Sequence, residues 1–209
     1  MRMIGLVMVA LLIGAAPAAE AAPPSYAELV AKLKSGDTGI DYQALRFAYA
    51  ETPGFDPYAR PAVEKRDLIR AMNSGNLDQA QDYADEILSA NYTDMDAHFA
   101  FFLIYDRRGE KAKAEFHLTV LQGLLKSFAD SGDGMSEDTA MIAVAVPEEY
   151  AYLGLKGYQV LRQGLAPSSA GPMDVFSVTT QDNQGTTIYF NARRILAKMK
   201  KAPEPAPAP

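Results

Sequence analysis

Gly75 and Gly109 stand 34 residues apart, and each is followed five residues later by an alanine, Ala80 and Ala114, in the first half of an amphipathic stretch. This recurrence constrains the fold more than any other feature, because a period of that length is one supersecondary unit repeated. Each unit reads as two antiparallel helices, with glycine turning the chain between them and alanine letting them approach closely. With units at residues 61–94 and 95–128, the second carries Phe101, Tyr105, Gly109, Ala114, Leu118 and Leu121 at its large, aromatic, turn-forming, small and apolar positions. The first keeps Gly75, Leu77, Ala80, Ala84 and Ile87.

The period and the order of residue types resemble the tetratricopeptide repeat. Both units depart from that pattern at the small residue of the first helix, here Leu68 or Phe102, and Tyr92 stands where proline is usual. Two units do not bury a solenoid core alone, so the flanking segments must cap them. Upstream, Ser25-x-x-Glu28 is a capping box that starts a helix with Tyr26, Leu29 and Leu33 on one face, stopping at Gly36-Asp37. A second helix is expected over about 41–50, with Tyr42, Leu45, Arg46 and Tyr49 on one face and Thr52-Pro53-Gly54 ending it. Residues 55–61, with Pro57 and Pro61, read as an extended connection that packs its aromatics.

The pattern changes after Lys126. Residues 130–134 are a turn cluster, the apolar run Ala140 to Val146 suits a buried strand, and Pro147-Glu148-Glu149 begins a short helix. Strands are expected at 158–165, 173–180 and 186–191, separated by turns at Gly171-Pro172 and at 182–185. The expected fold class is therefore α+β: N-terminal helical hairpins in two repeats, then a small antiparallel sheet with a short helix. The chain divides into a leader at 1–21, N-terminal helices and a proline-rich connection at 24–60, the repeats at 61–128, an α+β module at 129–201 and a disordered Pro/Ala tail at 202–209.

Arg2, the apolar run Met3 to Ile13 and the small residues after it have the three parts of a cleavable signal peptide, with cleavage expected after Ala18 or Ala21. The apolar run is shorter than the roughly 20 residues that span a bilayer, and no other segment reaches that length. The absence of cysteine removes lipid acylation and disulfides alike. A formal charge of -6 argues against nucleic acid or an anionic membrane as the main partner. The mature chain is expected to be exported, soluble and periplasmic or secreted, without stable membrane insertion after cleavage.

Tyr42, Arg46 and Tyr49 form a stripe in which a guanidinium between aromatics suits a carboxylate or sugar acid. With Tyr58 and Asp133 they are the candidate ligand-binding residues; the structural alternative is that Arg46 pairs with Asp41 or Asp56 and packs its stem on the tyrosines. The loop 131–136 lacks the ligand spacing of a calcium loop and the lysine of a phosphate loop, and reads as a turn around Asp133-Gly134. His98 and His117, the two histidines of the chain, fall at similar heights on facing helices but have no evident third ligand, so neither a metal site nor a cofactor is expected. No motif nominates a catalytic group. The expected function is non-enzymatic binding of a protein or peptide through the helical repeats; the alternative is an envelope enzyme or a binder of small glycan or peptide ligands.

The run from Asp41 to Ala50, followed by Thr52 and Phe55-Asp56-Pro57-Tyr58, resembles the opening of a bacterial family of exported proteins classed as domain of unknown function 4919. The landmarks Ser131-Gly132-Asp133-Gly134 with Ser136, Thr139 and Ala140, then Glu148-Glu149-Tyr150 and Tyr189-Phe190, follow in the same order. The resemblance covers about Tyr26 to Arg194 and implies an architecture without an activity.

Overall fold

The computed structural model describes residues 22–59, 63–169 and 171–199. The expected leader at 1–21 and the tail at 202–209 lie outside the described residues. Helix α1 (Tyr26–Lys34) starts on a complete capping box: Glu28 accepts the Ser25 amide at 2.7 Å, and the Ser25 hydroxyl accepts the Glu28 amide at 3.3 Å. Helix α2 (Tyr42–Tyr49) starts on Asp41, whose side chain accepts the Ala44 amide at 2.9 Å.

Two helical hairpins follow, α3 (Val63–Ser74) with α4 (Leu77–Ala90), and α5 (Met95–Arg107) with α6 (Lys111–Ala129). Each turns at one of the two spaced glycines, Gly75 at φ 74° and Gly109 at φ 75°. In both, the next amide reaches back five residues, Asn76 to the Ala71 carbonyl at 3.0 Å and Glu110 to the Tyr105 carbonyl at 2.8 Å. That closure needs a left-handed residue, which is why glycine recurs. Ala80 and Ala114 are buried, as the close helix approach requires.

Beyond α6 come β1 (Met141–Ile142), α7 (Val146–Leu155), β2 (Gln159–Ser168), β3 (Gly171–Thr179), β4 (Gly185–Asn191) and α8 (Arg193–Met199). The sheet order is β1-β4-β3-β2. Strands β2, β3 and β4 form the expected antiparallel meander, but β1 pairs parallel to β4 with Met141 opposite Phe190, so the sheet is mixed. The segment after α6 reaches the β4 edge through the turn at Gly134, whose carbonyl accepts the Tyr189 amide at 2.9 Å.

The strand expected over 140–146 shrinks to two residues for a specific reason. The Val144 amide donates to Glu148 Oε2 and the Val146 amide to the Pro57 carbonyl, both at 2.9 Å, so neither is free to extend the ladder. At the other side β2 runs on to Ser168 through Pro167, which an edge strand tolerates.

One hydrophobic cluster runs from Leu29 in α1 to Ile195 in α8. Helix α6 packs against α5, α2 and β1, and Phe128 near its end meets the Tyr152 ring at 4.8 Å and the Phe190 ring at 6.1 Å. The helices and the sheet therefore share one interior.

Candidate binding site

Helix α2 points Arg46 into that interior, where it is fully buried. Its Nε donates to Glu148 Oε1 at 2.6 Å, one terminal nitrogen to Ser127 Oγ at 2.9 Å, and the other to the Ile142 carbonyl at 2.6 Å and Glu148 Oε2 at 3.1 Å. The guanidinium carbon also lies over Phe128, 3.6 Å from the ring centre. A buried guanidinium persists only when its charge and donors are matched, and here one carboxylate, one hydroxyl, one carbonyl and one ring do so. The result joins α2, α6, β1 and α7 at a single point.

Beside this junction is a cleft of about 460 Å³, within the range of small-molecule and peptide sites. Tyr49 and Phe55 line one side, Ile87 and Met95 lie on the α4–α5 side, and Ala145, Pro147, Glu148 and Ala151 form the α7 wall. Burial pushes the Tyr49 phenol up to about 12, so it presents a neutral hydroxyl. Lys65 on α3 pairs with Asp94 at 3.2 Å and Asp96 at 2.6 Å. Burial opposes its charge, but the two aspartates outweigh burial and hold the ammonium above the ordinary lysine value. Of the charged groups lining the cleft, Asp56, Glu64 and Glu86 make no ion pair among the described residues.

The five sequence-predicted site residues are not brought together. Tyr42 packs on the Gly123 backbone of α6 and donates its hydroxyl to the Thr38 carbonyl at 3.1 Å. Arg46 is buried against Glu148 rather than Asp41 or Asp56. Asp133 braces its own turn, accepting the Met135 amide at 2.9 Å and the Thr139 hydroxyl at 2.5 Å. Tyr58 is exposed, following an Asp56 side chain that accepts its amide. Of the five, Tyr49 alone lines the cleft. Near the end of the chain, where Arg193, Arg194, Lys198, Lys200 and Lys201 cluster in the sequence, Arg194 lies 3.6 Å over the Phe47 ring and Lys198 pairs with Glu51 at 2.6 Å, while Lys200 and Lys201 lie outside the described residues.

Three features escaped sequence reasoning. The Lys65–Asp94–Asp96 group was signalled only by aspartates at the start of α5, and the Arg46–Glu148 pair by no local signal. The third is a carboxyl pair, Glu149 on α7 and Asp174 on β3, both buried. Among the described residues both Glu149 oxygens and Asp174 Oδ2 lack a hydrogen-bond donor, and Asp174 Oδ1 accepts weakly from Gln163 Nε2 at 3.4 Å. Burial, then Asp174 and Glu148, push the Glu149 carboxyl well above its ordinary range, and burial raises Asp174 as well.

The two histidines do meet. His98 Nδ1 and His117 Nδ1 are 3.0 Å apart, and His98 Nε2 lies 3.0 Å from the Tyr92 carbonyl. The carbonyl requires a proton on His98 Nε2, which leaves His98 Nδ1 to accept from His117 Nδ1–H, so this chain assigns both tautomers. Phe101 stacks on His117 with centroids 4.5 Å apart. Burial lowers His98 to about 4 and His117 to about 3, so both are neutral in the fold. Among the described residues no group of three His, Cys, Asp or Glu side chains is placed to hold a metal ion.

The family model described as Domain of unknown function (DUF4919) matches residues 18–201. No curated protein and no solved structure matches the chain.

Proposed function

We propose that this chain, which belongs to the DUF4919 family, is an exported binding protein that holds a short extended peptide with apolar and cationic side chains in the cleft beside α7. The cleft carries the reading: its floor is apolar, its lysine is already neutralised by Asp94 and Asp96, and its rim leaves Asp56, Glu64 and Glu86 unpaired among the described residues. An apolar slot with an acidic rim favours an occupant that brings its own positive charge. The 34-residue period and the matching glycine turns support a tetratricopeptide-like reading of α3–α6, an architecture that commonly displays peptide-binding grooves. The leader-like first 21 residues support delivery to the periplasm, where N-terminal sequencing of the protein should find Ala19 or Ala22 first. An intact Met1 on protein recovered from the cytoplasmic fraction would refute export.

A fluorescently labelled peptide alternating lysine and leucine tests the cleft, with its glutamate–leucine counterpart as control. The lysine peptide should bind more tightly and weaken as salt rises. Ala90→Trp, at an exposed lining position, should fill the slot and reduce affinity by about tenfold or more. Binding unchanged by that substitution places the peptide elsewhere and ends this reading.

A further inference from the structure

Three buried side-chain atoms lack a hydrogen-bond partner among the described residues, and all three belong to the Glu149–Asp174 pair. The other buried polar groups described above, Arg46, Ser127, His98 and His117, are each partnered. Two ionised carboxylates facing one another without donors are far too costly to bury. A single proton resolves the conflict: Glu149 as the acid donates to Asp174 Oδ2, and one hydrogen bond satisfies two of the three orphaned atoms. The Tyr150 hydroxyl donates to Gln163 Oε1 at 2.8 Å, and Gln163 donates to Asp174 Oδ1, so the same turn of α7 is tied to β2 and β3 around the pair.

We propose that the proton shared by Glu149 and Asp174 is a latch that holds the first turn of α7 on β3, so that its loss releases the α7 wall of the cleft. The consequence for binding rests on the cleft reading above; the latch itself does not. Pro147, Glu148 and Ala151, which build the wall, flank Glu149 in the same helix. Ionisation would place two buried negative charges side by side, with Glu148 adjacent, and their repulsion acts between helix and strand.

The neighbouring charges give no relief. On α2, Arg46 is committed to Glu148, and on α6 Lys126 pairs with Asp130 at 2.5 Å. On α5, Asp94 and Asp96 hold Lys65, Asp106 holds Lys111, His98 holds His117, and Arg107 is exposed at the far end. On β2, Arg162 is exposed opposite Ser177, and on β3 Asp174 is the sole ionisable residue. On β4, Tyr189 pairs with Val175 across the sheet; on α8, Arg193 lies at the Gly171 end of β3, Arg194 stacks on Phe47 and Lys198 holds Glu51. Tyr58 approaches from the loop before α3, and Tyr150 from α7 itself; these add no cation. The fold holds the proton above the ordinary carboxylate range because burial penalises the charged state, and for Glu149 the nearby Asp174 and Glu148 charges add to it.

Hydrogen exchange on the full chain, corrected for intrinsic rates, reads the latch directly. Between about pH 5 and about pH 9, protection of residues 146–155 should fall by about tenfold or more in the wild type. It should stay level in Glu149→Gln, whose amide donates to Asp174 Oδ2 without titrating. Asp174→Asn, donating in the reverse sense, is a second variant with the same expectation. A level wild-type profile, or an equal fall in both variants, overturns the latch. The lysine–leucine peptide is measured in parallel, and its affinity should fall over the same interval in the wild type only. Failure of the peptide to bind at any pH, with the exchange behaving as stated, removes the cleft reading and leaves the latch. Binding that is independent of pH, with level exchange, removes the latch and leaves the cleft.

Discussion

Arg46 shows how one side chain can carry a junction. Its stem leaves α2 in a stripe with Tyr42 and Tyr49, but its counter-ion is 102 residues away on α7. Arg46→Ala should cost about 3–5 kcal/mol, because Glu148 would remain buried without its cation. A urea unfolding midpoint checks this, and a midpoint within error of wild type would remove the junction from any account of stability. The sequence stripe already set Arg46 apart, since an arginine on the aromatic face of a short helix needs a partner. It pointed to Asp41 or Asp56 because local reasoning sees local acids. Glu148 was visible as an acid at a helix start and as a landmark of the family resemblance, and neither role points to Arg46 as its partner.

At the scale of elements, the close crossing of α2 and α6 depends on Gly123. A Cβ built there would lie 2.3 Å from the Tyr42 ring. Alanine at an ordinary helix glycine adds about 1 kcal/mol of stability. Here the ring must move, and Gly123→Ala should instead destabilise by about 1–3 kcal/mol. Denaturant titration of Gly123→Ala with and without Tyr42→Leu separates the two effects, because the smaller partner should restore the normal alanine benefit; no restoration would mean that Tyr42 is not the obstacle. The helices themselves were legible, since caps such as Ser25–Glu28 and turns at Gly75 and Gly109 act within a few residues. The run 140–146 was not, because apolar β-branched residues suit a strand while the Glu148 carboxylate and the Pro57 carbonyl claim its amides. The parallel pairing of β1 was equally hidden, being fixed by a turn that bonds to β4 and not by the strand's own residues.

For the whole molecule, two buried pairs set opposite responses to pH. His98 and His117 have folded values of about 4 and about 3 against 6.5 for a free histidine. Their depressed values mean that the fold is favoured fully above 6.5, and that this contribution drains as pH falls towards 4 and 3. Glu149 and Asp174 are raised, so their contribution is present below the ordinary carboxylate values of 4.5 and 3.8 and is lost as pH climbs through the folded ones. Thermal midpoints across pH should therefore trace a dome. A His98→Phe, His117→Phe double variant should flatten its acid side, and Glu149→Gln its alkaline side. An unchanged acid limb in the histidine variant would assign acid sensitivity to other groups. The histidine pair was legible, because the Gly109 turn sets His98 and His117 at matching heights on α5 and α6; the carboxyl pair was not, because Glu149 and Asp174 come together only after α7 has packed on β3.

The distance along the chain between Arg46 and Glu148 also orders events in time. A polypeptide is made from its first residue onward, so α2 is complete long before α7 exists. Until residue 148 arrives, Arg46 has neither its carboxylate nor the Ile142 carbonyl, and burying it would strand a bare cation. The junction of α2 with α6, β1 and α7 therefore closes only once residue 148 has been made.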